Sequence, residues 1–194
     1  MHRLMMAVAK TMAILGGIVL TFLILLTCVS VLGRSLNGVF HSDIMERIAP
    51  GFSKWMIDAG VGPVNGDFEL VEAGVAFAIF AFIPLCQITS SHAAVDVFAN
   101  AFPRWLDRVL RVVTEIVFAA VLILIAWRLY EGLLSKISNG ETSYLLEFPV
   151  WWAYGISFAA SVVAAGVGVY MAGIRIVEYA TGRVLIPEGT GAGH

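Results

Sequence analysis

Residues 11–33 read TMAILGGIVLTFLILLTCVSVLG. No charge interrupts this run, and it exceeds the ~20 residues that an α-helix needs to cross ~30 Å of hydrocarbon. A basic start, Arg3 and Lys10, precedes it and imitates a signal peptide. A signal core is only ~7–15 residues long, however, and no A-x-A cleavage pattern follows. The run is read as a retained first membrane span, about 8–32. Three more segments are long and apolar enough to span: about 69–91, 109–134 and 149–174. They are apolar on all sides, whereas barrel strands would alternate over ~10 residues. The expected fold is therefore an all-α membrane protein, a four-transmembrane-helix bundle. Arg111, Glu115 and Arg128 intrude on the third span, and Arg111 and Glu115, four apart, can pair on one helix face. Pro84 falls inside the second span and is expected to kink it.

Composition agrees with this reading. Of the 194 residues, 59% are hydrophobic and 13% charged, against about 25% charged in a soluble domain. Mean hydropathy is +0.88. These values exclude an ordinary soluble enzyme and a disordered chain. Twelve Lys+Arg against 14 Asp+Glu leave a net charge of −2, so no nucleic acid partner is expected. The two cysteines, Cys28 and Cys86, differ in depth by roughly 15 Å if the first two spans form a hairpin, too far for a disulfide. Both are read as small buried packing residues.

Basic residues set the expected orientation. With the N-terminus inside, the inner side takes Arg3, Lys10, Arg104, Arg108, Arg111, Arg175 and Arg183. The outer side takes Arg34, Arg47, Lys54, Arg128 and Lys136. The leading end of the first span decides for N-in/C-in. Trp127, Trp151 and Trp152 then form an outer aromatic belt. The long outer connection, 34–67, places Ile44, Ile48, Phe52, Trp55, Met56 and Ala59 at helical spacing, with Asp43, Glu46, Arg47, Lys54 and Asp58 largely elsewhere. This is the pattern of an amphipathic interfacial helix between spans one and two, broken near Pro50-Gly51, or of a helix packed on the bundle. The membrane domain is expected to cover 1–186, with a Gly-rich, disordered tail at 187–194.

Candidate chemistry is confined to the span ends. The histidines, His2, His41, His92 and His194, all lie away from mid-membrane, and no pair has a metal-ligand spacing. No cofactor or metal is expected, and no ionisable group sits at the middle of a span to mark a transport path. Arg34 closes span one, and Asp67, Glu69 and Glu72 open span two. Arg128 and Glu131, near the end of span three, reach the same face. Arg34 is expected to pair with Glu69 or Glu72, and Asp67 to cap free N–H groups. These residues are either interfacial ion pairs holding the bundle or a polar latch to a partner. At the opposite face His92 and Asp96 share a helix face. That fits a helix-end hydrogen bond, or a general base if a nucleophile were near. In span four Ala160, Ala164, Gly168 and Ala172 form a row of small residues, beside Ser157, Ser161 and Ala165. The row serves packing within the bundle or docking of another membrane subunit.

In order along the chain, several short motifs resemble a known family. They are Arg34, then Gly66-Asp67-x-Glu69-x-x-Glu72, then His92-x-x-Val95-Asp96. Tyr130-Glu131, Gly140, Thr142 and Pro149-x-Trp151 follow. Together they resemble the small permease subunit of tripartite ATP-independent periplasmic (TRAP) transporters, the DctQ type. Ser35 stands where that family has an aromatic residue, and Ala93 and Ala94 where it often has a basic one. The resemblance implies a non-enzymatic scaffold subunit in a bacterial inner membrane. Its partners would be a large DctM-type permease, a periplasmic solute-binding protein and membrane lipid. The assembly would take up organic acids on a sodium gradient. The competing expectation is a stand-alone redox anchor, a four-helix protein binding quinone or haem.

Overall fold

The computed structural model describes residues 2–42, 45, 50–58, 60–89 and 104–181. In chain order the helices are α1 (His2–Phe40), α2 (Pro50–Asp58), α3 (Asp67–Ile88), α4 (Arg104–Asn139) and α5 (Trp151–Thr181). Four of them, α1, α3, α4 and α5, are long and apolar enough to cross a membrane. The protein is an all-helical, four-span membrane bundle.

The packing order is α1 on α3, α3 on α5 and α5 on α4. Helix α5 is the centre: half of its apolar window is buried inside the protein, against 11% for α1 and for α4. Its sequence explains this, because Ser157, Ala160, Ser161, Ala164, Ala165, Gly168 and Ala172 are all buried. Small side chains let neighbouring backbones approach, which is how helices gain dispersion contacts where no water is left to expel. Leu122 of α4 and Ile83 of α3 pack against Ala164 and Ala165. Ala9 of α1 and Ile88 of α3 join Val167 and Met171 nearer the opposite end.

The other helices bury only a stripe. In α1 the buried positions Ala9, Gly16, Leu23 and Ser30 recur every seven residues, a heptad seam against α3. Ile14, Ile18, Phe22, Leu25 and Leu32 point outward, the expected surface of a helix in lipid. Both cysteines lie on such outward faces and are exposed and free. This corrects the expectation of buried packing. A run that is apolar all round does not reveal which side packs within the bundle, and both thiols fall on the outward side. Pro84 is buried inside α3, which continues through it.

Helix α2 begins at Pro50, whose fixed φ and missing N–H suit a first helical turn. The Ser53 hydroxyl donates to the Phe40 carbonyl at 2.6 Å, and Phe52 meets Phe40 edge-on at 6.0 Å. Phe52 and Trp55 stay exposed. Ile44, Ile48 and Ala59 lie outside the described residues.

Candidate functional site

Three pieces of chain meet at the loop end of the bundle. The first is the end of α1 with the 60–66 segment. Gly33 lets that segment touch the helix, since a Cβ there would sit 2.1 Å from the Gly62 carbonyl oxygen. The Val64 N–H donates to the buried Ser30 hydroxyl at 3.2 Å. The second is the start of α3. Gly66 occupies the cap position with φ 76, a left-handed conformation that glycine adopts without strain. The third is the α4–α5 hairpin. It is closed by the Thr142–Pro149 bridge, and Ser143 N–H donates to Phe148 O at 2.8 Å.

Glu69 ties these pieces together. Its two carboxylate oxygens accept the backbone N–H groups of Leu145 at 2.7 Å and Leu146 at 3.0 Å. A carboxylate taking two amides makes charge-assisted bonds that fix both partners in place. Leu146 in turn covers Gly66, whose missing Cβ would lie 2.3 Å from the leucine Cγ. Arg34 therefore does not pair with Glu69 or Glu72 as expected. It faces Asp67 at 4.0 Å, with the guanidinium side largely exposed. Asp67 follows the cap position rather than occupying it, and its Oδ1 accepts the neighbouring Phe68 N–H at 2.8 Å.

Arg128 and Glu131 pair with each other at 2.9 Å, and the Trp127 indole N–H donates to Glu131 at 2.8 Å. All three are exposed on the outer side of α4. They do not reach the hairpin. Helix α4 continues to Asn139, which leaves Arg128 roughly 16 Å short of the helix end at ~1.5 Å per residue. Trp127 is accordingly not level with Trp151 and Trp152, which open α5. The helix thus extends past the expected span of about 109–134, through Lys136 to Asn139.

Lys136 instead bonds Glu141 across the start of the hairpin, and the Asn139 amide donates to the same carboxylate at 3.0 Å. The Lys136 ammonium, then the Asn139 amide, hold the Glu141 carboxyl below its ordinary value. This pair was missed by sequence reasoning, although a five-residue Lys–Glu spacing across a helix end is a visible signal. At the other end Arg175 and Glu178 pair at 2.7 Å and are nearly buried. Gln87, wholly buried in α3, donates to Glu115 of α4 at 3.4 Å. Gly168 makes room for it, since a Cβ there would lie 3.2 Å from the glutamine amide. His92 and Asp96 lie outside the described residues.

A cavity of about 550 Å³ opens among α3, α4, α5 and the hairpin. Glu69, Glu72, Lys136 and Glu141 line its upper part, and Ala76, Phe80 and Leu129 lie deeper. Ala160, Ala164, Gly168 and Ala172 are all buried inside the bundle, so other residues make the surface that a partner would meet. The arrangement is one of clamps and packing: a carboxylate fastening a hairpin, and ion pairs at both ends of an apolar centre.

The family model for the DctQ component of tripartite ATP-independent periplasmic transporters matches residues 23–175. The chain belongs to the DctQ family. No curated protein and no solved structure matches it. The matched stretch starts within α1 and ends near the end of α5, so it takes in the Arg34–Asp67 contact, the Glu69 clamp and the whole hairpin. As a DctQ protein the chain is a small membrane subunit of a TRAP transporter, and its family is one of transporter components rather than of enzymes.

Proposed function

We propose that this DctQ subunit is a non-catalytic scaffold. It braces the large permease of a sodium-coupled transporter for organic acids and helps dock the periplasmic binding protein. It sits in the bacterial inner membrane with both termini in the cytoplasm, its hairpin and α2 on the outer side. The family match carries this reading. The packing supports it: among the described residues, the centre of the bundle is filled by Ala78, Leu122, Ala160, Ala164, Ala165 and Val167. The polar side chains buried beside them on α5, Ser157 and Ser161, are small and uncharged.

In this reading the Arg34–Asp67 contact and the Glu69 clamp hold the outer end in one shape for the binding protein. Helix α2 lies at the membrane surface, with Phe52 and Trp55 turned to the headgroup region. The outward faces of α1 and α4, not the buried Ala160–Ala172 row, meet the large permease. The Arg128–Glu131 pair supports this choice. Charges at that depth on a lipid face are costly, and a partner helix with polar groups relieves the cost. Co-expression with a DctM-type large permease tests the proposal. The two are expected to co-purify in mild detergent, and separate elution would contradict it.

A further inference from the structure

We infer that the cavity at the loop end of the bundle is a phospholipid site selective for a primary-amine headgroup, with the ammonium on Glu72 and an acyl chain against Phe80 and Leu129. The inference stands apart from the transporter assignment. The cavity, about 550 Å³, has the size of small-molecule sites, and it is amphiphilic along its length. Three carboxylates and one ammonium line the hairpin side, Glu69, Glu72, Glu141 and Lys136. Phe80 lies two turns deeper than Glu72 on α3, roughly 12 Å away at ~1.5 Å per residue.

The excess of carboxylates favours a cation, and two of them are already engaged. Glu69 holds the Leu145 and Leu146 amides, and Glu141 holds Lys136 and Asn139. Glu72 lines the cavity with no hydrogen bond or ion pair among the described residues.

An independent observation lies deeper in the same wall. Ser157 is 2% exposed, yet its hydroxyl makes no hydrogen bond. A helical serine ordinarily donates back to a carbonyl of the preceding turn, as Ser161 does to Phe158 at 2.8 Å. An unmet buried hydroxyl carries a desolvation cost that a bound acceptor removes. A phospholipid supplies the matching groups in order: an ammonium for Glu72, a phosphate for the remaining Lys136 donors, an ester oxygen for Ser157, and a chain for the apolar floor. A free metal ion would leave that floor unfilled. Among the described residues, no group of three His, Cys, Asp or Glu is placed to hold one.

Native mass spectrometry of the full chain tests the site. The chain would be loaded with equal amounts of phosphatidylethanolamine, phosphatidylcholine and phosphatidylglycerol of identical chains. The ethanolamine lipid is expected to be retained about tenfold over the choline lipid, whose ammonium has charge but no N–H donor. Glu72→Gln should erase that preference, and Lys54→Ala, outside the cavity, should keep it. Ala76→Leu, which fills the apolar floor and leaves every charge, should lower retention of the ethanolamine lipid as well. Equal retention of the three lipids, an unchanged preference in Glu72→Gln, or unchanged retention in Ala76→Leu would overturn the site. Competition by chain-free phosphoethanolamine as strong as by the lipid would overturn the assignment to a lipid.

Discussion

Glu69 decides how the two halves of the chain meet, because it reaches from the first turn of α3 to amides 76 and 77 residues further on. Glu69→Gln keeps one acceptor oxygen and loses the charge. Hydrogen exchange should then quicken at Leu145 and Leu146 and stay unchanged in the centre of α5. Unchanged exchange at the two leucines would remove the clamp. Arg34→Ala should lower thermal stability slightly more than Lys54→Ala, since among the described residues Arg34 faces a carboxylate, Asp67, across a solvent-exposed contact. Equal effects would mean that the Arg34–Asp67 contact contributes nothing.

Glu141 gives a pH signature. Its folded value lies below the ordinary 4.5, so its bond to Lys136 stabilises the fold fully above that value. The contribution is lost as pH falls below 4.5 through the folded value. Melting in detergent should be flat from neutral pH to about 5 for this contribution and should decline below it. Glu141→Gln should remove part of that decline. A decline identical in the variant would place its cause elsewhere. The acidic cluster itself was legible in the sequence, but its pairings were not. Spacing shows which residues share a helix end, and only the fold shows which way each carboxylate turns.

At the scale of helices, glycines set the close approaches and their substitution costs should rank by what they meet. At Gly33 a Cβ would strike the Gly62 backbone oxygen, whereas at Gly74 it would meet the tip of the Leu23 side chain at 2.7 Å. Gly33→Ala should therefore destabilise by about 1–3 kcal/mol, the range for overpacking. Gly74→Ala should cost less, because Leu23 can turn aside. The reverse order in thermal melts would contradict the packing of the 60–66 segment on α1.

The four spans were readable because charge-free runs of such length have few other folds. Their ends were not. Helix α4 runs on through Lys136 and Asn139 because hydrogen bonding within the helix continues into the polar zone, where hydropathy no longer reports it. The exposed Cys28 and Cys86 make the same point sideways: uniform hydrophobicity carries no periodicity, so the protein-facing stripe stays hidden. The small residues of α5 did reveal their face, since size, unlike hydropathy, varies around that helix.

Among the described residues, the Arg34–Asp67, Lys136–Glu141 and Arg175–Glu178 pairs lie toward the two ends of a largely apolar centre. Between Glu115 and Arg128 α4 carries no charge, a stretch of roughly 18 Å at ~1.5 Å per residue. In the proposed reading such a body braces a neighbouring subunit's path. The most direct measurement is solute uptake into proteoliposomes under a sodium gradient. The assay would compare this chain alone, the large permease with the binding protein, and all three together. The account predicts uptake only from the complete set. Accumulation by this chain alone, or full uptake without it, would contradict the account.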